Sequence, residues 1–227
     1  QSIDATTIYE VPIMMKNEKL DQVVLKKLNL KNPKKPDLKK WISFVDRLKF
    51  PKEEVQIGLI GKYVELQDSY KSILESLVHA GSENKTKVKV VSIHSEFINS
   101  DQINNEISNL DGILVAPGFG ERGIEGKIDA IKCSRENNIP FFGICLGMQS
   151  AVIEFAKNVL GYSDANSTEM DKNTSTPVID LMEEQKNIIK KGGTMRLGSY
   201  SCSLSKESNA INSYGETEIN ERHRHRF

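Results

Sequence analysis

The stretch Pro140 to Gln149, PFFGICLGMQ, constrains the fold of this chain more than any other. It opens as a short apolar run, turns through Gly143-Ile144-Cys145-Leu146-Gly147 and continues into the helix-like stretch Gln149 to Leu160. A strand that bends into a helix through Gly-x-Cys-x-Gly is a nucleophile elbow. Glycines stand where a side chain would collide, and the reactive atom is raised on the tip of the turn.

A thiol attacks as its thiolate, so a useful cysteine needs electropositive surroundings, and a helix start supplies them. The unpaired N–H groups of that first turn can also stabilise an oxyanion. A structural cysteine at the end of a core strand is the bland alternative. Two flanking glycines at the required spacing, after Phe141 and Phe142, favour the elbow.

Bulk properties exclude several function classes. The 227 residues carry 31 basic and 31 acidic side chains, so no net field draws the chain to nucleic acid or to an anionic membrane. The absence of an apolar run of 18 residues or of a signal-peptide pattern predicts neither a membrane span nor export. Cys133, Cys145 and Cys202 are an odd set without Cys-x-x-Cys spacing, which suits a reducing, cytoplasmic setting. The polar start at Gln1 and the abrupt end at Phe227 are expected of a segment cut from a longer polypeptide.

Residues 1–54 differ in character from the rest. Ile8 to Pro12 reads as extended, Lys19 to Leu28 as a short helix broken by Asn32-Pro33-Lys34-Lys35-Pro36-Asp37, and Leu38 to Leu48 as an amphipathic helix with Trp41, Phe44, Val45 and Leu48 on one face. From Val55 onward strands and helices alternate. Strands are expected at Val55 to Gly61, Val88 to His94, Gly112 to Ala116 and Pro140 to Ile144. Helices are expected at Ser69 to Ala80, Asp101 to Leu110, Gly126 to Asn137 and Met148 to Leu160. Repeated β-α units imply a parallel sheet covered on both faces, with ligands beyond the C-terminal strand ends. Pro117-Gly118-Phe119-Gly120 follows one such end and the Cys145 elbow follows another. After about residue 162 the pattern weakens into short strands and turns, with Gly192-Gly193 and Gly198 as breaks, and Glu221 to Phe227 alternates like a half-exposed strand.

A glycine loop beside a cysteine elbow resembles the class I glutamine amidotransferases, whose cysteine attacks the side-chain amide of glutamine, holds a γ-glutamyl thioester and releases ammonia. Within that class the CTP synthase family is the nearer resemblance. It rests on Gly61-Lys62-Tyr63, Asp68 to Ser72, Gly118 to Gly123, Gly143 to Gln149, Asn166 to Glu169, Gly192 to Gly198 and Glu221 to Phe227, in that order. The resemblance implies an α/β, flavodoxin-like class I glutaminase fold over 55–227, a mainly parallel sheet flanked by helices. It makes 1–54 the end of an amidoligase domain plus linker. It implies Cys145 as nucleophile and the N–H groups of Gly118 and Leu146 as the oxyanion hole. Around bound L-glutamine it places Gly118, Leu146, Gly147, Met148, Gln149, Glu169 and Arg226. A cationic fork and an acid are what free glutamine's α-carboxylate and α-ammonium require, and Arg226 and Glu169 supply one of each. The same resemblance implies that Glu121-Arg122-Gly123 falls in a lid region implicated in GTP activation.

For the complete enzyme the resemblance implies ATP, Mg²⁺ and UTP bound mostly outside these residues, GTP as activator and a homotetramer; it implies no cofactor in this segment. Many relatives carry two glycines before the loop phenylalanine, where this chain has Pro117-Gly118. The family's base and orienting acid lie in a His-Pro-Glu motif that these 227 residues do not contain, so this segment alone is expected to hydrolyse glutamine very poorly. His79 and His94 read as packing or capping residues, and Cys133 and Cys202 as structural. His223 and His225 are expected on one strand face, with Arg222, Arg224 and Arg226 on the other, and neither a metal site nor a nucleic-acid stripe is expected there. Two rivals are a glutaminase domain serving another synthetase and a non-catalytic assembly or regulatory module that keeps the fold.

Overall fold

The computed structural model describes residues 4–30, 34–98, 102–186, 188 and 197–227. Its centre is a four-stranded, wholly parallel sheet in the order β2-β1-β3-β4, from β1 (Glu53–Gly61), β2 (Thr86–His94), β3 (Gly112–Val115) and β4 (Phe141–Gly143). Crossovers run through α4 (Lys71–Asn84), α5 (Ile103–Ile107) and α6 (Ile124–Glu136), and α7 (Leu146–Asn158) follows β4. This is the flavodoxin-like strand order, whose direction of winding reverses between β1 and β3.

Alternation along the strands builds a core on each face. Leu59 pairs with Leu114, and both join Tyr70 and Ala116 with the α4 residues Ile73 and Leu74. Their neighbours Ile60 and Val115 also pair, but pack on the other face with Ile103, Ile107, Ala130 and Ile131 from α5 and α6. All four β3 residues are buried, as expected of a central parallel strand. Among the described residues β4 pairs with β3 alone, and Phe141 and Phe142 are exposed, at 37% and 62%.

The expected helices and strands from Val55 to Leu160 all form, with shifted ends. A 3-10 turn at Gln67–Tyr70 precedes α4, and α4 runs on to Asn84, where Lys85 turns left-handed. Only Ile103–Ile107 is helical in the next crossover, because Asn104, Asn105, Ser108 and Asn109 favour turns over helix propagation. The start of that expected helix, at Asp101, lies outside the described residues, as does the Gly192-Gly193 break.

Ahead of the sheet lie α1 (Val11–Asn17), α2 (Leu20–Lys27) and α3 (Lys39–Lys49). The extended reading of Ile8 to Pro12 is wrong: Ile8–Glu10 is a 3-10 turn that runs directly into α1. Thr7 caps the Tyr9 N–H, the Thr6 N–H and hydroxyl both donate to the Glu10 carboxylate, and Pro12 falls in the first helical turn, where no N–H is needed.

Beyond α7 come two small sheets. β5 (Ala165–Ser167) and β6 (Thr176–Ile179) are parallel, and β7 (Gly198–Ser203) and β8 (Glu218–His223) are antiparallel. β8 does not continue to Phe227 as its alternation suggests. Its last rung pairs His223 with Gly198, after which the Met182 N–H takes the Arg226 carbonyl and the Gln149 amide takes that of Phe227. Those bonds draw the chain end away from β7 and onto the end of the large sheet.

Candidate active site

Cys145 is the hinge between β4 and α7 and has φ +53° and ψ −110°, a conformation that a non-glycine residue adopts only under constraint. Both flanking glycines are forced. A Cβ on Gly143 would stand 2.7 Å from the carbonyl carbon of Gly147 and the nitrogen of Met148, and one on Gly147 would run into the Val115 carbonyl. Ile144 N–H bonds to Val115 (3.1 Å), Gly147 N–H to Ile144 (2.9 Å) and Gln149 N–H to Cys145 (3.0 Å), which locks the turn to β3. Among the described residues no backbone carbonyl accepts from the Leu146 N–H, so the positive end of α7 opens beside the sulfur.

The glycine loop leaves β3 next door. Ala116 N–H still bonds to Ile60 across the sheet, and two residues later a Cβ on Gly118 would lie 3.5 Å from the Leu146 side chain. Gly120, at φ +73°, donates its N–H to Glu169 Oε1 at 3.0 Å. Two lysines reach the same loop from below. Lys127 of α6, only 1% exposed, donates from Nζ to the Ala116 carbonyl at 2.9 Å, and Lys62, just past β1, donates to the Phe119 carbonyl at 2.5 Å. Burial, and then the charge of Lys62, push the Lys127 ammonium down to about 8, with Cys145 acting in the opposite sense.

A cleft of about 320 Å³ opens between these parts, in the size range of small-molecule sites. Gly118, Cys145, Gln149, Glu169 and Arg226 share its wall, five of the eight residues expected at the site. Leu146 is buried behind the wall, Gly147 is pressed against β3, and Met148 is half exposed, none of them on the cleft surface itself. Glu169 is held in place by its own N–H to Ser167 Oγ, while Thr168 binds the Asp180 carboxylate from its hydroxyl at 2.6 Å.

The family profile for glutamine amidotransferase class-I matches residues 65–227. The chain belongs to the class-I glutamine amidotransferases. Its whole length is 63% identical to CTP synthase from Flavobacterium johnsoniae and nearly all of it is 56% identical to CTP synthase from Methanocaldococcus jannaschii. It spans about 42% of the length of each. Among solved structures, the Trypanosoma brucei CTPS glutaminase domain with bound acivicin aligns with a TM-score of 0.68 at 36% identity, over 76% of this chain and 67% of that one.

This amidotransferase domain also brings residues to the cleft that sequence spacing did not single out. Thr168, Lys172, Arg224, His225 and Phe227 line it beside the expected five. The alternation of Glu221 to Phe227 assigned His225 and Arg226 to opposite strand faces, and that reading fails because the strand ends at His223 and the last four residues wrap the cleft together. Cys202 is exposed on β7 and away from the cleft, whereas Cys133 is buried and donates its thiol to Asn104. His79 packs against the rings of Tyr9 and Phe44, and His94 stacks on Phe97, as packing residues do. In the loop ahead of α6, Arg122 lies over the Tyr63 ring and pairs with Glu96 at 2.8 Å.

Proposed function

We infer that Cys145 hydrolyses L-glutamine and that the ammonia released serves the ATP-dependent amination of UTP to CTP in a longer polypeptide. The observation that carries this reading is the strained Cys145 on one cleft wall with Gly118, Glu169 and Arg226. Arg226 takes the α-carboxylate of glutamine and Glu169 its α-ammonium, which brings the side-chain amide to the sulfur. Sγ adds to the amide carbon while the N–H groups of Gly118 and Leu146 hold the developing oxyanion. The C–N bond then breaks as the proton given up by the Cys145 thiol reaches the nitrogen, ammonia leaves, and water cleaves the γ-glutamyl thioester to glutamate and returns a proton to the sulfur. Leu146, Gly147 and Met148 shape the site through the backbone of the first helical turn, and Gln149 through its position on the wall.

Residues 1–54 are read as the end of the amidoligase domain and its linker, and a tetramer of the longer polypeptide as the working assembly. ATP, UTP and Mg²⁺ are assigned mostly to residues outside this chain. Activation by GTP is assigned to the loop that carries Arg122. The setting is read as cytoplasmic.

The test is competitive labelling with acivicin, followed by peptide mapping of the three cysteines. Cys145 is expected to react faster than Cys202 although Cys202 is the more exposed. Preferential reaction at Cys202 would contradict the reading. In a coupled ammonia assay this segment alone is expected to turn over glutamine very poorly, since the proton carrier of the family motif is not among its residues.

A further inference from the structure

Lys127 and Lys62 have no part in the glutamine site as derived so far, and neither lines the cleft. Both are buried, at 1% and 8% exposure, and both converge on one residue: a Cβ placed on Gly118 would lie 3.8 Å from Lys127 Nζ and 3.8 Å from Lys62 Cε. Their acceptors bracket that residue. Lys127 holds the Ala116 carbonyl on one side and Lys62 the Phe119 carbonyl on the other. A peptide group is planar, so fixing its oxygen fixes its whole plane. The plane held by Lys62 also contains the Gly120 N–H, which is pinned in turn by Glu169. Pro117 has its φ fixed by its ring and brings no N–H to compete. Between these two anchored planes lies the peptide that carries the Gly118 N–H.

The arrangement is costly. Two like charges share a dry site, and the ionisable groups that act on the Lys127 ammonium are Lys62, which opposes its charge, and Cys145, which favours it. An apolar side chain of similar length would fill the space without that cost. We propose that Lys127 is a positioning residue for the glycine loop, which aims the Gly118 N–H at the carbonyl that Cys145 attacks. The proposal rests on the reading of Cys145 and Gly118 given above and names what orients them.

Its test uses a chloromethyl ketone in which CH₂Cl replaces the amide nitrogen of glutamine. Sγ adds to the ketone through an oxyanion and displaces chloride, leaving a thioether, with the thiol proton passing to water. Iodoacetamide on Cys145 serves as the control, because its displacement needs no oxyanion donor. For Lys127→Met the maximal labelling rate by the ketone is expected to fall about 100-fold, the loss typical of one oxyanion donor. The half-saturating ketone concentration should stay within about twofold, as the cleft wall is unchanged, and iodoacetamide should lose far less than the ketone. Lys62→Met, at the other end of the loop, should act in the same sense, and Lys127→Arg should recover much of the rate. Equal losses with both reagents, no loss with either, or a change confined to half-saturation would overturn the proposal. A wild-type chain whose ketone labelling neither saturates nor yields to L-glutamine would instead remove the glutamine reading beneath it. Thermal melts of each variant separate these outcomes from unfolding.

Discussion

Around Tyr9 the groups that leave water meet partners, whereas around Cys145 the chain holds a strained backbone and two buried cations. The Tyr9 hydroxyl donates to Glu75 at 2.5 Å and lies 2.7 Å from His79 Nε2, and the Trp41 indole donates to the Tyr9 carbonyl at 2.8 Å. Phe44 meets the Tyr9 ring edge-on at 5.2 Å. Burial, followed by Glu75, pushes the Tyr9 phenol up to about 12, so it keeps its proton as a donor across the physiological range. This cluster ties the segment before β1 to α4, and each of its contacts favours the folded state. The elbow does the reverse: φ +53° at Cys145 and a desolvated ammonium at Lys127 both oppose folding and persist because the surrounding sheet dictates them. Stability and reactivity are therefore located in different parts of one chain.

The sharpest way to break that contrast is Gly147→Ala. A Cβ there meets the Val115 carbonyl, a rigid backbone group in the central strand, and the expected loss is about 4 kcal/mol in urea unfolding. A midpoint close to wild type would mean that the elbow is looser than its geometry implies. Next comes Lys127→Met, which should stabilise. The folded-state pKa of Lys127 is lowered from 10.5 to about 8. The unfolded chain thus binds more protons between those values, and wild-type stability rises with pH through that window. Below pH 8 the buried charge costs up to about 3 kcal/mol, which the methionine variant avoids, and the gap should close toward pH 10.5. Denaturation at pH 7 and pH 10 reads both halves, and a variant less stable than wild type at pH 7 would show that the ammonium helps the fold. Smallest is Tyr9→Phe, expected to lower stability by about 1 kcal/mol by removing the hydroxyl from Glu75 and His79 while the ring packing stays. Thermal melting checks it, and an unchanged melt would show the N-terminal contacts to be incidental.

How much of this was legible in the sequence follows the same division. The β-α alternation after Val55 and the elbow glycines were readable because they rest on local periodicity and on turns that only glycine can make. The turn at Ile8–Glu10 was not, because Val11-Pro12 suggests extended chain unless the two bonds that Thr6 donates to the Glu10 carboxylate are seen. The wrap of Arg224 to Phe227 was equally hidden: alternation predicts a strand for as long as a partner strand lasts, and the partner's register is a tertiary fact. Lys127 carried no signal at all. Within Gly126-Lys127-Ile128 it reads as an ordinary surface lysine of a helix, and only the packing of α6 under the loop places its ammonium beside Gly118.

The central claim, that the Cys145 thiol lies in a site built for free L-glutamine, meets its most direct test in a protection experiment. The alkylation rates of Cys145 and Cys202 by iodoacetamide are followed on the same molecules as L-glutamine is raised. Saturable slowing at Cys145, with Cys202 unchanged and D-glutamine without effect, is the predicted result. A Cys145 rate indifferent to L-glutamine at every concentration would contradict it.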